Sequence, residues 1–169
     1  MSKIEINQLP PEQWERYRKI RLESLLEEPQ AFGSSYAIMA KQPPEYWQGR
    51  LADAVQGEKS LLLFAQEGDR LVGMIGAFLG EQPDVAEIIS VYANRAVRGR
   101  GVGKALMDGI LAEIRKKKAI RKAVLGVNRE QFAAVRLYQR YGFVTVEEKE
   151  EVREDGEVRR GYWMEKHLV

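Results

Sequence analysis

The sequence predicts one mixed α/β domain across residues 1–169, built on a single, mostly antiparallel sheet flanked by helices. Three observations carry this. A length of 169 residues suits one hydrophobic core. Three apolar runs follow one another between Ser60 and Ala93 with only short turn signals between them, the pattern of an antiparallel meander. The spacing of apolar residues then alternates between helical and strand periods. The resulting order is strand, two helices, three strands, helix, strand, helix, two strands.

Taken in order, Lys3 to Leu9 alternates weakly and reads as a first strand. Pro10-Pro11-Glu12 opens a helix through Trp14, Tyr17, Leu22 and Leu25, which Pro29 ends. Ala31 to Tyr36 reads as a loop, and Pro43-Pro44 opens a second helix through Trp47 and Leu51. Ser60 to Gln66, Leu71 to Leu79 and Asp84 to Ala93 are the three strands, the first two separated by the turn Glu67-Gly68-Asp69. After a glycine-rich stretch, Val102, Ala105, Leu106, Gly109, Ile110 and Ile114 fall on one helical face. Ala119 to Val127 is a strand, Glu130 to Tyr141 a helix stopped by Gly142. Phe143 to Val152 and Glu157 to Leu168 form a hairpin around Glu154-Asp155-Gly156.

Composition removes several chemistries. The chain has no cysteine and one histidine, His167. A disulfide framework, a thiolate zinc site, a cysteine nucleophile and a multi-histidine metal site are therefore not expected, and no metal is expected. Met1 to Pro10 is charged and lacks an apolar stretch, and the longest apolar runs are too short to span a bilayer. A cytoplasmic protein without a membrane partner is the expectation. Net charge is only +2, but Arg95 to Lys122 holds ten Lys/Arg against two acids. Such a segment suits a phosphorylated ligand or nucleic acid, while Arg115 to Lys118 alone also fits the cations of a helix C-terminus. No RNA-binding aromatic motif or helix-turn-helix signal accompanies it, so no nucleic-acid partner is expected.

Arg98-Gly99-Arg100-Gly101-Val102-Gly103 lies between a strand and an amphipathic helix, where free backbone N–H groups and the helix dipole favour an anion. Arg98, Arg100 and Lys104 add charge. The Walker A pattern fails, because Arg98 stands at its first glycine and Ala105 replaces the hydroxyl after Lys104. The dinucleotide fingerprint fails on spacing, since the glycines fall at 99, 101 and 103. The pattern [Arg/Gln]-x-x-Gly-x-[Gly/Ala] is met by Arg98, Gly101 and Gly103. A tight turn without a ligand is the bland alternative.

Val97 to Leu106, followed by Gln131-Phe132-Ala133-Ala134-Val135-Arg136-Leu137-Tyr138-Gln139-Arg140-Tyr141-Gly142-Phe143, resembles the two motifs of the GCN5-related N-acetyltransferase (GNAT) family. The element order follows the family over nearly the whole chain, as does Pro29 to Tyr36. The resemblance implies one N-acetyltransferase domain with splayed central strands and acetyl-CoA as cosubstrate. It places the pyrophosphate on the amides of Arg100, Gly101, Val102, Gly103 and Lys104. It places the pantetheine arm along the backbone of Val91, Tyr92 and Ala93. Gln131 stands where the family usually has Asn, and Asn128 is a nearby substitute. Tyr138 matches the family's general acid. Glu87 lies where a carboxylate often works through water. Alternation puts it on the side of Ile89 and Val91 unless a bulge intervenes.

Acetyl transfer from a thioester needs a neutral amine, donors for an oxyanion and a proton for the thiolate. Without a cysteine or a Gly-x-Ser-x-Gly elbow, transfer to a primary amine is expected to be direct, in a ternary complex. Tyr138 is the proton or hydrogen-bond donor, a backbone N–H within Val91–Ala93 the oxyanion donor, and Glu87 the candidate base. Core packing is the alternative for Tyr138, and an outward-facing strand position for Glu87. Phe32, Tyr36 and Trp47 either shape the acceptor pocket or pack in the core, and His167 reads as a surface residue. The C-terminal hairpin, with seven acids against four bases between Glu147 and Arg160, either attracts a cationic amine or is simply solvated. A transferase of another acyl group, a non-catalytic acyl-CoA-binding module and a homodimer stay open. The motifs identify the donor and are silent on the acceptor.

Overall fold

The computed structural model describes residues 3–152 and 156–168. The strands are β1 (Ile4–Asn7), β2 (Ser60–Glu67), β3 (Arg70–Leu79), β4 (Val85–Ala93), β5 (Lys122–Asn128), β6 (Val144–Val152) and β7 (Val158–His167). The helices are α1 (Trp14–Glu27), α2 (Tyr36–Ala40), α3 (Pro44–Gln56), α4 (Val102–Arg115) and α5 (Phe132–Arg140). The strands form one seven-stranded sheet in the order β1-β2-β3-β4-β5-β7-β6. All neighbours run antiparallel except β4 and β5. The expected mixed sheet flanked by helices is observed.

A hydrophobic core lies on each face of the sheet. On one face, Val102, Leu106, Met107, Ile110, Leu111 and Ile114 of α4 pack against Leu63, Ile75 and Leu125 of the sheet. On the other, Tyr17 and Leu25 of α1 and Trp47 and Leu51 of α3 cover Leu62, Phe64 and Met74. Trp47 is fully buried against Tyr17, edge to face at 5.2 Å, and so belongs to this core. Gly73 lets α4 approach the sheet: a Cβ there would stand 2.8 Å from the Tyr92 carbonyl oxygen and 3.1 Å from Val102 and Leu106.

Three differences from the expected elements have local causes. Tyr36 begins the short helix α2 instead of ending a loop, because the Ser35 side chain caps it by accepting from the Ile38 N–H at 3.3 Å. Strand β5 starts at Lys122, since Ile120 N–H is turned back onto the Lys117 carbonyl at 3.0 Å. Helix α5 starts at Phe132, after a turn in which Gln131 N–H bonds the Asn128 carbonyl at 3.0 Å. Residues Glu154 and Asp155 of the expected hairpin turn lie outside the described residues.

Two irregularities in β4 create the site. Ladder pairs with β5 are confined to Val85–Lys122, Ala86–Ala123 and Glu87–Val124. Beyond them the two parallel strands part. On its other side, Met74 pairs with Tyr92 but Gly76 with Ile89, so Ser90 and Val91 together face Ile75. This is a β-bulge, and Ser90 takes a left-handed φ of 56° to make it. The bulge reverses which face each residue serves. Ala86 and Ile88 pack into the α4 core, whereas after the bulge Val91 and Ala93 do so and Tyr92 joins the α1/α3 core.

Candidate active site

The parting of β4 and β5 opens a cleft of about 1320 Å³. Its walls are Ile88 to Ala93 of β4, Leu125 to Val127 of β5, and one face of α5. The cleft is also lined by Arg98, Gly99, Gly101, Val102, Gly103 and Lys104 before and within α4, and by Glu28, Gln30, Ala31 and Phe32 after α1. Backbone N–H and C=O groups that a continuous sheet would pair are left free where the strands part, so the cleft offers an extended amide-bearing ligand a row of partners.

The glycine loop is built for close approach. Gly101 caps α4 with φ 81°, and Gly99 has φ 77°, both in the left-handed region open to glycine. Nothing stands within 4 Å of a Cβ at either position, so conformation and not space selects glycine there. The loop's cations are less available than the sequence suggested. Arg98 pairs with Glu28, Arg100 with Glu67, and Lys104 with Asp108 at 2.8 Å. Arg100 does not line the cleft: its side chain is held to the end of β2 by Glu67, whose carboxyl the guanidinium keeps below its ordinary range. Unpaired positive charge comes from α5 instead. Phe132, Arg136 and Arg140 recur at every fourth residue and line the cleft, and no carboxylate pairs with either arginine among the described residues. Phe132 is 67% exposed, an aromatic platform at the rim. The i, i+4, i+8 spacing of this stripe is that of any exposed helix face, so nothing in the sequence marks it as a ligand surface.

Tyr138 projects from α5 into the cleft wall, 5% exposed and edge to face with Phe143 at 6.1 Å. Burial, reinforced by the Glu28 charge, pushes its hydroxyl well above the ordinary tyrosine value. It is therefore neutral throughout the physiological range, a donor and not a base. Tyr141, one turn on, donates to Asp108 at 2.6 Å and ties α5 to α4.

The remaining candidates are dispersed. Gln131 lines the cleft at the start of α5, without capping the helix. Asn128 does not line it: its Oδ1 accepts from the Glu130 N–H at 2.9 Å, and the residue faces a smaller hollow beside Arg129 and Arg160. Its side chain thus braces the turn before α5. The backbone of Val91, Tyr92 and Ala93 borders the cleft, but the Tyr92 ring lies in the opposite core. Its hydroxyl donates to Glu27, with Glu23 3.2 Å away. Glu87 is absent from the lining of the cleft. Because the bulge intervenes, it shares a face with Ile89 but not with Val91. Burial and the nearby Glu81 raise its carboxyl above the ordinary range, against a smaller opposing effect of Lys149. Phe32 lines the cleft; Arg159 of β7 donates to its carbonyl at 3.0 Å and to that of Pro29 at 2.8 Å, fixing the loop. His167 is exposed at the end of β7.

Residues 11–143 match the model of the acetyltransferase (GNAT) family. The chain belongs to this family. Among GNAT structures it superposes on an acetyltransferase from Streptococcus pneumoniae with a TM-score of 0.86 and 17% identity, over 99% of this chain and 100% of the other. The structure of yncA from Salmonella typhimurium with its cofactor acetyl-CoA gives a TM-score of 0.82 and 18% identity over 99% and 95%. By sequence, an uncharacterized N-acetyltransferase of Methanocaldococcus jannaschii is 40% identical over 43% of this chain and 30% of its own length. The chain spans less than a third of the curated relatives it matches. At these identities the structural likeness establishes the GNAT fold.

Proposed function

We propose that the chain is a cytoplasmic N-acetyltransferase that moves the acetyl group of acetyl-CoA directly to a primary amine in a ternary complex. The observation that carries this is the cleft itself: parted strands, a left-handed glycine loop at a helix N-terminus and one buried neutral tyrosine meet in one space. The groups present fit acetyl-CoA. The loop amides at Gly101 to Lys104 suit its pyrophosphate, the free edge at Val91 to Ala93 suits its pantetheine amides, and Phe132 with Arg136 and Arg140 suits a phosphorylated, aromatic end.

In the reaction the amine nitrogen forms a bond to the thioester carbonyl carbon and the C–S bond breaks. The amine loses one proton and the thiolate gains one. Tyr138 donates a hydrogen bond to the departing sulfur. Its raised pKa makes net transfer to a thiolate, whose conjugate acid has a pKa of about 8.5, unfavourable, so it stabilises charge more than it supplies the proton. A backbone N–H in Val91–Ala93 is the oxyanion donor. Glu87 opens on the sheet face turned away from α4, from which an amine would reach the thioester, so its base role operates through water.

Titrating acetyl-CoA into the protein by calorimetry tests this. One site is expected, lost in Gly101→Glu, which sets a carboxylate and a strained residue at the pyrophosphate position. Equal affinity in the variant, or no binding by the wild type, refutes it.

A further inference from the structure

Among the described residues, three carboxylates line the cleft: Glu28, Asp108 and Glu130. Asp108 is taken by Lys104 and Tyr141. Glu130 stands in the turn before α5 and also borders the smaller hollow beside Arg129. Glu28 is placed differently. Its side chain is 19% exposed and pairs with Arg98 of the glycine loop, which is 44% exposed. The Arg98 Nε also donates to the carbonyl of Ala93, the last residue of β4, at 3.3 Å. One side chain thus bridges the end of β4 and the segment after α1, and Ala93, Arg98 and Glu28 all line the cleft.

That bridge occupies groups the cosubstrate needs. The Ala93 carbonyl lies on the edge suited to the pantetheine amides, and Arg98 opens the loop suited to the pyrophosphate. A pyrophosphate carries more negative charge than one carboxylate and matches the guanidinium fork as well. An ion pair with one well-exposed partner holds weakly, so the exchange is easy. Glu28 cannot follow its partner. Its N–H donates to the Ser24 carbonyl at 2.9 Å, and its own carbonyl accepts from the Ala31 N–H at 3.0 Å. Arg159 fixes the next residues through the Pro29 and Phe32 carbonyls. Glu28 also caps the C-terminal end of α1, where the helix dipole disfavours a carboxylate. Losing Arg98 therefore leaves a largely buried anion that requires another cation. An amine acceptor arrives in water as an ammonium. We propose that Glu28 anchors the acceptor's ammonium group, and that acetyl-CoA makes it available by drawing Arg98 onto the pyrophosphate. The Glu28 charge is also felt at the Tyr138 hydroxyl, which faces the departing sulfur. This rests on the acetyl-transfer reading and names the residue that receives the amine.

Calorimetry with acetyl-CoA tests the exchange. In Glu28→Gln, checked by melting temperature for an intact fold, Arg98 is freed and acetyl-CoA binds at least threefold tighter. Arg98→Gln weakens binding at least threefold, and Glu28→Gln added to it brings no gain. A mere brace would do the opposite, so affinity unchanged or weaker in Glu28→Gln overturns the inference. Initial rates of thiol release test the anchor. For the amine turned over best, Glu28→Gln raises the KM of the amine at least tenfold, with no rise in the KM of acetyl-CoA. An unchanged KM for the amine overturns the inference and leaves acetyl transfer standing. Absence of turnover with every amine refutes the transferase, and the anchor with it. If Glu28→Gln does not fold, Arg98→Gln decides. In the wild type the same amine binds at least tenfold tighter with saturating CoA than without it. In Arg98→Gln, where Glu28 is free from the start, that enhancement falls to within twofold of one; an enhancement that persists overturns the inference.

Discussion

Gly101→Ala separates conformation from contact in the glycine loop. The position has φ 81° and open space around a new Cβ, so no clash contributes. An L-residue held left-handed costs about 1–2 kcal/mol. That strain has two outlets. If the loop keeps its shape, the folded protein is less stable, by a net of roughly 1 kcal/mol once the stiffer unfolded chain is counted. If the loop relaxes, the amides leave their cradle and acetyl-CoA must restore them. Affinity then falls by about 5–30-fold, at 1.4 kcal/mol per tenfold. The two losses share one source, so a larger fall in stability accompanies a smaller fall in affinity. Urea melts and acetyl-CoA calorimetry on the same preparation measure both. Gly49→Ala is the control: it lies in α3 with no atom within 4 Å and no left-handed φ, and gains about 0.5–1 kcal/mol. Refutation is simple: Gly101→Ala unchanged in both stability and affinity.

Other consequences follow from packing and charge. Leu106→Ala removes a fully buried side chain between α4 and the sheet and lowers stability by about 2–5 kcal/mol in urea melts. Glu87, with its carboxyl raised, favours the fold in its neutral form; that contribution is complete below the ordinary carboxylate value of about 4.3 and lost as pH rises through the raised one. Activity that uses Glu87 as a base rises over the same interval. In Glu87→Gln both dependences disappear, read as the acid limb of kcat/KM and as melting temperature against pH; a limb that survives assigns it to another group.

Much of the fold was legible because its signals are local. The α4 stripe, the turn-linked strands β2 to β4 and the two motifs each lie within a short stretch of chain. The face expected for α4 missed Met107 and Leu111, since the helix buries a wider arc than a narrow seam. What could not be read depends on residues far apart. The pairing of Arg98 with Glu28, 70 residues away, draws charge from the loop, and nothing near either residue signals it. A bulge in β4 could be allowed for but not located, because Ser90 is not a residue type that advertises a left-handed φ. One residue of extra length there moved Glu87 off the face of Val91 and turned Tyr92 into the opposite core. The setting of Asn128 is hidden for a related reason: its amide oxygen accepts from the Glu130 N–H two residues on, a local bond that no ligand motif signals.

Catalysis at the cleft is tested most directly by mixing protein, acetyl-CoA and a panel of amines and following free thiol and the mass of the acceptor together. Thiol release matched by acetylated amine, slowed at least tenfold in Tyr138→Phe with acetyl-CoA affinity retained, is the predicted result. Tight acetyl-CoA binding without acetylation of any amine would contradict it and make the chain an acyl-CoA-binding module.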